Sequence, residues 1–209
     1  MTVPQVIPTP VQPFIPQVSL QNVVTKTGTI AFYPADAAVD SILLLTNDEN
    51  FKSASGALTD LYGDNTFIDF AQEFNNPLIV EGQMTMNIPS LIINSFGSSQ
   101  NGTHKVYANI IKTSGGTETQ LFSGAITHSV TSLGSGSSNI KNLAYTSDLS
   151  RAYFNVGDTI TFRMYRSVTS QQGSLRGYIG CDPADRTTGT AETISTGARS
   201  TLNIPVKLE

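Results

Sequence analysis

Apolar and polar side chains alternate along several stretches of the chain after Thr27. The clearest is 159–166, where Ile160, Phe162 and Met164 lie on one side and the intervening residues on the other. Side chains of a β-strand alternate with a period of two, so this pattern predicts a strand with one face in the core. The same alternation predicts strands over 83–88, 105–112 and 202–208, and less regularly over 29–33, 42–46, 121–130 and 177–181.

Turn residues separate these stretches. The segment Ser114-Gly115-Gly116-Thr117 predicts a hairpin, Gly157-Asp158 precedes the strand at Ile160, and the glycine- and serine-rich segment 133–139 predicts a loop. Several short strands divided by such turns are typical of a sandwich or a barrel. The sequence therefore predicts a single antiparallel β domain over residues 25–209.

Two segments depart from simple alternation. Pro205 lies inside the last predicted strand, where a missing N–H favours an edge strand or the end of a ladder. Aromatic and small residues at helical spacing predict one short helix that ends at Pro77. Those residues are Phe67, Phe70, Ala71 and Phe74, preceded by the candidate caps Asp64, Asn65 and Thr66.

Residues 1–24 form a proline-rich arm in which the prolines exclude both a helix and a central strand. We expect extended, polyproline-II-like chain there. Apolar side chains and the lack of any charge before Lys26 distinguish this arm from a solvated linker. Either it folds back on its own domain or, as we favour, it docks on a neighbouring subunit. The residues predicted to dock are Val6, Ile7, Val11, Phe14, Ile15 and Val18.

Composition narrows the possible partners. Only 13% of the residues are charged and the net charge is −4, with no cluster of basic residues. Direct nucleic-acid binding is therefore not expected. The low charge fits close packing against other subunits, and equally fits the composition of many viral and secreted β proteins. We find neither a signal peptide nor a segment that would span a membrane, so no membrane partner is predicted.

Reactive residue types are sparse. His104 and His128 do not have paired-ligand spacing, and His128 aligns with Ile126 and Val130, which predicts a hydrogen-bonded, half-buried side chain. Cys181 stands alone and is read as a small buried residue. No nucleophile motif is present, although a catalytic triad can assemble from distant residues. The sequence thus predicts no enzyme, no catalytic residue and no cofactor.

Two segments that are rich in Asp and Asn side chains are candidate metal-binding loops. The first contains Asp60, Asp64 and Asn65, and the second contains Asp182 and Asp185. Carboxylates could contribute to a calcium site, but neither segment has calcium-loop spacing, so we interpret both as turns. No metal site is predicted. Asn101-Gly102-Thr103 matches a glycosylation sequon and is read as a turn.

Two stretches resemble jelly-roll domains of bacteriophage virion proteins. One is 112–122, the hairpin KTSGGTETQLF, and the other is 155–165, NVGDTITFRMY. The wider resemblance covers residues 77–209 and extends to the trimeric tumour-necrosis-factor/C1q-like fold. It implies a jelly-roll-like β-sandwich in a head-fibre, decoration, collar or tail component, with no catalytic residues to carry over. The proline-rich arm is not part of this domain pattern.

Together these observations predict a virion structural protein that forms a homotrimer and binds capsid or tail subunits. A carbohydrate- or receptor-binding module, with a host glycan as ligand, is the alternative, and an esterase-like enzyme is a third interpretation. Sugar platforms favour exposed Trp and Tyr, but Trp is absent. The possible platforms are Tyr33, Tyr62, Tyr107, Tyr145, Tyr153, Tyr165 and Tyr178. For the trimer, Tyr107 or Tyr165 on an outward face is the candidate contact residue.

Overall fold

The computed structural model describes residues 27–39, 42–51, 58–59, 67–170, 175–180 and 200–207. Eleven strands and no helix occur in these residues, which confirms the predicted all-β sandwich. The strands are β1 (Thr27–Val39), β2 (Ile42–Thr46), β3 (Leu58–Thr59), β4 (Ile68–Glu73), β5 (Leu78–Asn94), β6 (Gln100–Ser114), β7 (Thr117–Leu133), β8 (Ser138–Phe154), β9 (Thr159–Ser170), β10 (Leu175–Gly180) and β11 (Thr201–Lys207).

The strands form one curled sheet whose two halves face each other. The order is β3-β10-β5-β11-β1-β2-β4-β9-β6-β7, and β8 pairs with β5 outside this path. Strand β1 joins the halves, because Thr27 to Phe32 pair with β11 whereas Tyr33 to Val39 pair with β2. Among the described pairings β2 with β4 is parallel and the others are antiparallel.

The core lies between the two halves and is built from the inward positions of both. Phe32, Phe70, Phe154 and Phe162 are among the largest fully buried side chains. Phe74 packs edge-on against Phe32 and Phe154, with ring centroids 6.3 and 5.0 Å apart. Aromatic pairs in this geometry add stability beyond the apolar area they bury. One buried cluster includes residues of both halves, and this continuity fixes the register of each strand.

The helix predicted around Phe67–Phe74 is wrong, since this segment contains strand β4. All six residues of β4 pair with β9, from Ile68 opposite Met164 to Glu73 opposite Thr159. Phe70 and Phe74 are four residues apart, a spacing that puts two side chains on one face of either a helix or a strand. Pairing with β9 and burial of Phe70 decide the outcome, because tertiary context overrides weak local preference.

Pro205 does not mark an edge strand, because β11 lies between β1 and β5. Its ladder to β5 is irregular between Asn203 and Val206, so the proline sits where pairing is already interrupted. Gly82 in β5 has a φ of 116°, and a Cβ built there would lie 3.6 Å from the Pro205 ring. The irregularity thus accommodates an interior proline, as bulges do.

The turns predicted at 114–117, 157–158 and 133–139 are confirmed, whereas the turn predicted at Asn101-Gly102-Thr103 is wrong, because these residues lie within β6. Gly115 and Gly116 have φ values of 54° and 81°, the signs that a two-residue type I′ hairpin requires. Gly157 has a φ of 86° and precedes Asp158 before β9. Residues 134–137 form the loop between β7 and β8. No helix in the described residues is long and apolar enough to cross a membrane.

Candidate functional site

Four consecutive strands each contribute one side chain to a polar cluster at the interface of the two sheet halves. His104 of β6 is directly opposite His128 of β7. The Ser90 hydroxyl of β5 lies 2.8 Å from His104 Nδ1 and 2.9 Å from His128 Nδ1. His128 Nε2 lies 2.8 Å from Asn139 Oδ1 of β8. We call these four residues the histidine cluster.

The hydrogen-bond partners assign the protons of the cluster. Asn139 Oδ1 is an acceptor, so His128 Nε2 carries a hydrogen and, in a neutral ring, Nδ1 accepts. The Ser90 hydroxyl then donates to His128 Nδ1, and its oxygen accepts from His104 Nδ1–H. The arrangement forms a one-directional chain of hydrogen bonds that ties β6 to β5, β5 to β7 and β7 to β8.

Three of the four residues of the cluster are fully buried, and burial favours the neutral form of His128. Ser90, His104 and His128 each have 0% of their surface exposed. Desolvation lowers the pKa of His128 below its usual 6.5; the hydrogen bond to Asn139 opposes this effect, and the charge of Lys141 adds to it. A hydrolase needs a serine oxygen that a substrate can reach. The Ser90 oxygen lies among buried groups, so this serine–histidine contact holds the sheets together and presents no nucleophile.

Sequence reasoning found only part of this cluster. It predicted a hydrogen-bonded His128 on the side of Ile126 and Val130, and the structure confirms this, with full rather than half burial. Ser90 and Asn139 were not identified, because their partners lie across the sandwich and are distant in sequence. The glycine at 177 is a further participant, since a Cβ there would lie 2.9 Å from three atoms of the His104 ring.

The outward face of the β9–β6 pair carries a row of aromatic rings. Tyr107 and Tyr165 are cross-strand partners whose rings stack with centroids 4.2 Å apart and planes 3° apart. Lys105 Nζ lies 4.6 Å from the centre of the Tyr107 ring, and Phe67 packs edge-on against Tyr165 at 4.7 Å. The ring faces that a sugar would need are therefore already engaged by neighbouring side chains. The outward position of both tyrosines is as predicted, but their role as contact residues stays a prediction.

Ion pairs hold the same face. The guanidinium of Arg163 is bound to both carboxylate oxygens of Asp69 at 2.7 and 2.8 Å, and to Glu118 at 3.0 and 3.2 Å. These hydrogen bonds, to Asp69 first, raise the pKa of Arg163 above its usual value. The charge of Arg163 is thus paired with the charges of Asp69 and Glu118.

The curled sheet has an open side, bounded by β7 and β8. In the described residues β7 pairs with β6 alone and β8 with β5 alone. Side chains bridge the gap between them, through the His128–Asn139 hydrogen bond and through Phe122 and Tyr145, whose rings are 5.4 Å apart. The outward backbone edges of these two 17-residue strands are left without a ladder partner in the described part of the chain.

Several predicted residues lie outside the described residues. These are the arm residues Val6, Ile7, Val11, Phe14, Ile15 and Val18, together with Cys181 and the oxygen-rich loop residues Asp60, Asp64, Asn65, Asp182 and Asp185. Within the described part, no group of three or more His, Cys, Asp or Glu side chains is arranged to hold a metal ion.

Comparisons with known proteins reveal distant structural similarity. No family model and no curated protein matches the chain. A CocE/NonD family hydrolase from Staphylococcus aureus has 12% identity and a TM-score of 0.46, over 88% of this chain and 35% of the hydrolase chain. The Eiger TNF from S. frugiperda has 11% identity and a TM-score of 0.26, over 62% of this chain and 61% of the other. Infectious bursal disease virus, Gx strain, gives 9% identity and a TM-score of 0.24, over 66% and 33%.

The chain spans about a third of the length of the hydrolase that it matches. At these identities and TM-scores the similarities carry no argument about function.

Proposed function

We propose that this chain is a virion structural protein, a capsid, decoration, head-fibre, collar or tail subunit of bacteriophage type. In this proposal it assembles through its β domain as a homotrimer, attaches to a neighbouring subunit of the particle by the arm of residues 1–24, and binds other virion proteins. It has no catalytic role, no cofactor and no direct contact with nucleic acid or membrane. The virion assignment rests on the resemblance of residues 112–122 and 155–165 to jelly-roll domains of bacteriophage virion proteins.

The observation that supports an assembling subunit is the open side of the sheet. Monomeric proteins protect exposed edges with charges, prolines or short strands. Strand β7 is 17 residues long and carries no Asp, Glu, Lys or Arg from Thr119 to Leu133. Such an edge favours pairing with a strand of another chain. The histidine cluster also fits a structural role, because its hydrogen bonds join strands of the two sheet halves.

Oligomeric state provides the first test. Multi-angle light scattering of the full chain should give three times the 22.3 kDa chain mass. A monomer at every concentration would refute trimer assembly. Peptides of the chain should also be found, by mass spectrometry, in purified virus particles at stoichiometric amounts, and their absence from the particles would refute the virion assignment.

The arm provides the second test. Phe14→Asp puts a charge where the proposal requires an apolar contact, which costs several kcal/mol in a dry site. Gln17→Asp is the matched control, because it introduces the same charge at a polar position of the same arm. Incorporation into particles should be lost for Phe14→Asp and retained for Gln17→Asp. Equal incorporation of the two variants would leave the arm without a docking role.

A further inference from the structure

The regular part of the β7 edge is a nine-residue stretch. The β6–β7 ladder is irregular near Ile111 and again near Gln100, and between these points Phe122 to Val130 pair with β6 in unbroken register. Inward side chains alternate with exposed ones across this stretch. The exposed ones are Ser123, Ala125, Thr127 and Ser129. These side chains are small and uncharged, so another strand can lie alongside without displacing a bulky or charged group.

Strand β8 is a poorer template, although it too has an open edge in the described residues. It carries Lys141, Asp148 and Arg151. Near its end, the ammonium of Lys112 donates to the backbone oxygen of Tyr153. Charges along an edge and a backbone group that is already engaged both oppose pairing with a further strand. Of the two open edges, β7 is the better acceptor.

The first prolines of the arm all fall at even positions, an arrangement that an edge strand can accommodate. Between residues 3 and 11 all three prolines, Pro4, Pro8 and Pro10, are at even positions. The N–H and C=O groups of every second residue point to the same side of a strand. The odd residues therefore keep every N–H on one side, and the prolines fall on the other side, where an edge strand needs no donor. The odd residues are Val3, Gln5, Ile7, Thr9 and Val11.

We propose that residues 3–11 of one chain add as a strand to the 122–130 edge of β7 in a second copy of this chain. Every proline before Pro13 is at an even position, so residues 1–12 contain enough chain to cover the nine residues of the regular edge. Pro13 breaks the parity and ends the pairing, which leaves Phe14 and Ile15 free to pack as apolar anchors. This inference rests on the proposed docking of the arm and adds to it the partner, the edge and the backbone register.

The test compares two proline substitutions in the full chain. Gln5→Pro removes an N–H from the side that faces β7, whereas Gln12→Pro removes one at an even position just beyond the paired segment, on the side that faces away. Both replace glutamine by proline, and neither residue is among the predicted docking side chains. Sedimentation should show that Gln5→Pro raises the dissociation constant for self-association about tenfold or more, as loss of a backbone hydrogen bond with its steric clash implies. Gln12→Pro should change it by less than about threefold.

Amide hydrogen exchange locates the contact. In the wild-type chain, amides of residues 122–130 should exchange more slowly at high than at low concentration, and Gln5→Pro should abolish this difference. Slower exchange confined to β8 would overturn the choice of edge, and protection independent of concentration would show pairing within one chain. A wild-type chain that never self-associates would overturn the second copy as partner.

Failure of this inference is distinguishable from failure of the proposed docking role. If Phe14→Asp blocks incorporation but Gln5→Pro and Gln12→Pro behave alike, the arm docks through its side chains and does not pair as a strand. If none of the three changes affects incorporation or self-association, the arm has no docking role at all.

Discussion

At the scale of single residues, the buried titratable groups make stability depend on pH. His128 is held neutral because burial lowers its pKa below 6.5. In the unfolded chain the imidazole titrates near its ordinary value of about 6.5. Below that pH the unfolded state takes up a proton that the folded state does not, so folding stability is complete above it and falls with decreasing pH.

We predict that the free energy of unfolding of the wild-type chain falls between pH 7 and pH 5. The slope contributed by one group cannot exceed about 1.4 kcal/mol per pH unit. His128→Gln cannot protonate, so this part of the slope should disappear in the variant even though the variant is less stable throughout. Urea unfolding at several pH values measures both slopes. Identical slopes in the two proteins would contradict the assignment to His128.

Asp158 makes the folding stability depend on pH in a second, more acidic range. Its carboxylate accepts hydrogen bonds from Ser114 and from the N–H of Asn155, and it lies 2.9 Å from Lys112 Nζ. These contacts, the Ser114 hydrogen bond first, lower its pKa to about 2 from a usual 3.8. A depressed carboxylate pKa stabilises the fold above the unfolded pKa, and that stabilisation is lost as pH falls from 3.8 toward 2.

Asp158→Asn should therefore reduce the free energy of unfolding by roughly 2 kcal/mol at pH 7. The difference from wild type should shrink as the pH is lowered to 2, where the native carboxylate is itself becoming protonated. Asp148→Asn is the control, because this exposed residue of β8 also loses one negative charge and should change stability by less than about 0.5 kcal/mol. Thermal unfolding at pH 7 and pH 2.5 compares the variants. A deficit for Asp158→Asn that stays constant with pH would contradict the charge-based explanation.

At the scale of strands, packing of β10 against β6 depends on one glycine. A Cβ at Gly177 would come within 2.9 Å of the His104 ring, a distance that real Cβ contacts essentially never show. The ring cannot move aside freely, because its Nδ1 is bonded to Ser90. A Cβ at Gly28 in β1, by contrast, would meet only a Val206 methyl at 3.9 Å.

We predict that Gly177→Ala destabilises the fold by roughly 1–3 kcal/mol, as overpacking does. Gly28→Ala should be neutral, or stabilising by up to about 1 kcal/mol, because it reduces the entropy of the unfolded chain without a clash. Denaturant unfolding of both variants at pH 7.5 makes the comparison. Equal stabilities would mean that β10 can shift away from His104 at little cost.

Strand positions were predictable from sequence because alternation is a local signal, and 159–166 and 105–112 lie within β9 and β6. The β4 error arose where a four-residue spacing suits both helix and strand, and only pairing with β9 resolves it. The Pro205 error arose because a bulge opposite Gly82 in β5 cannot be read from β11 alone. The histidine cluster was beyond sequence reasoning for the same reason, since Ser90 reaches both histidines from the opposite half of the sheet.

At the scale of the whole molecule, the described strands and their core do not include the arm. Thr27 pairs with Lys207 at the start of β1, so the ladder begins immediately after the arm. Phe32, Phe70, Phe154 and Phe162 fill the centre of the core from four different strands. Burying each such side chain contributes roughly 1.5–3 kcal/mol, and none of these residues belongs to the arm.

We therefore predict that deletion of residues 1–24 leaves a folded, soluble β domain. Every described strand and the continuous core are retained in the truncated chain, so near-ultraviolet circular dichroism from Tyr and Phe should keep its native signal. The unfolding midpoint should fall by no more than a few degrees relative to the full chain, because a few degrees correspond to about 1 kcal/mol at this size. The same truncation should abolish the concentration-dependent protection of β7, which separates the folding of the domain from the docking of the arm. A truncated chain that unfolds would show that the arm belongs to the core of its own domain, the interpretation that the sequence left open.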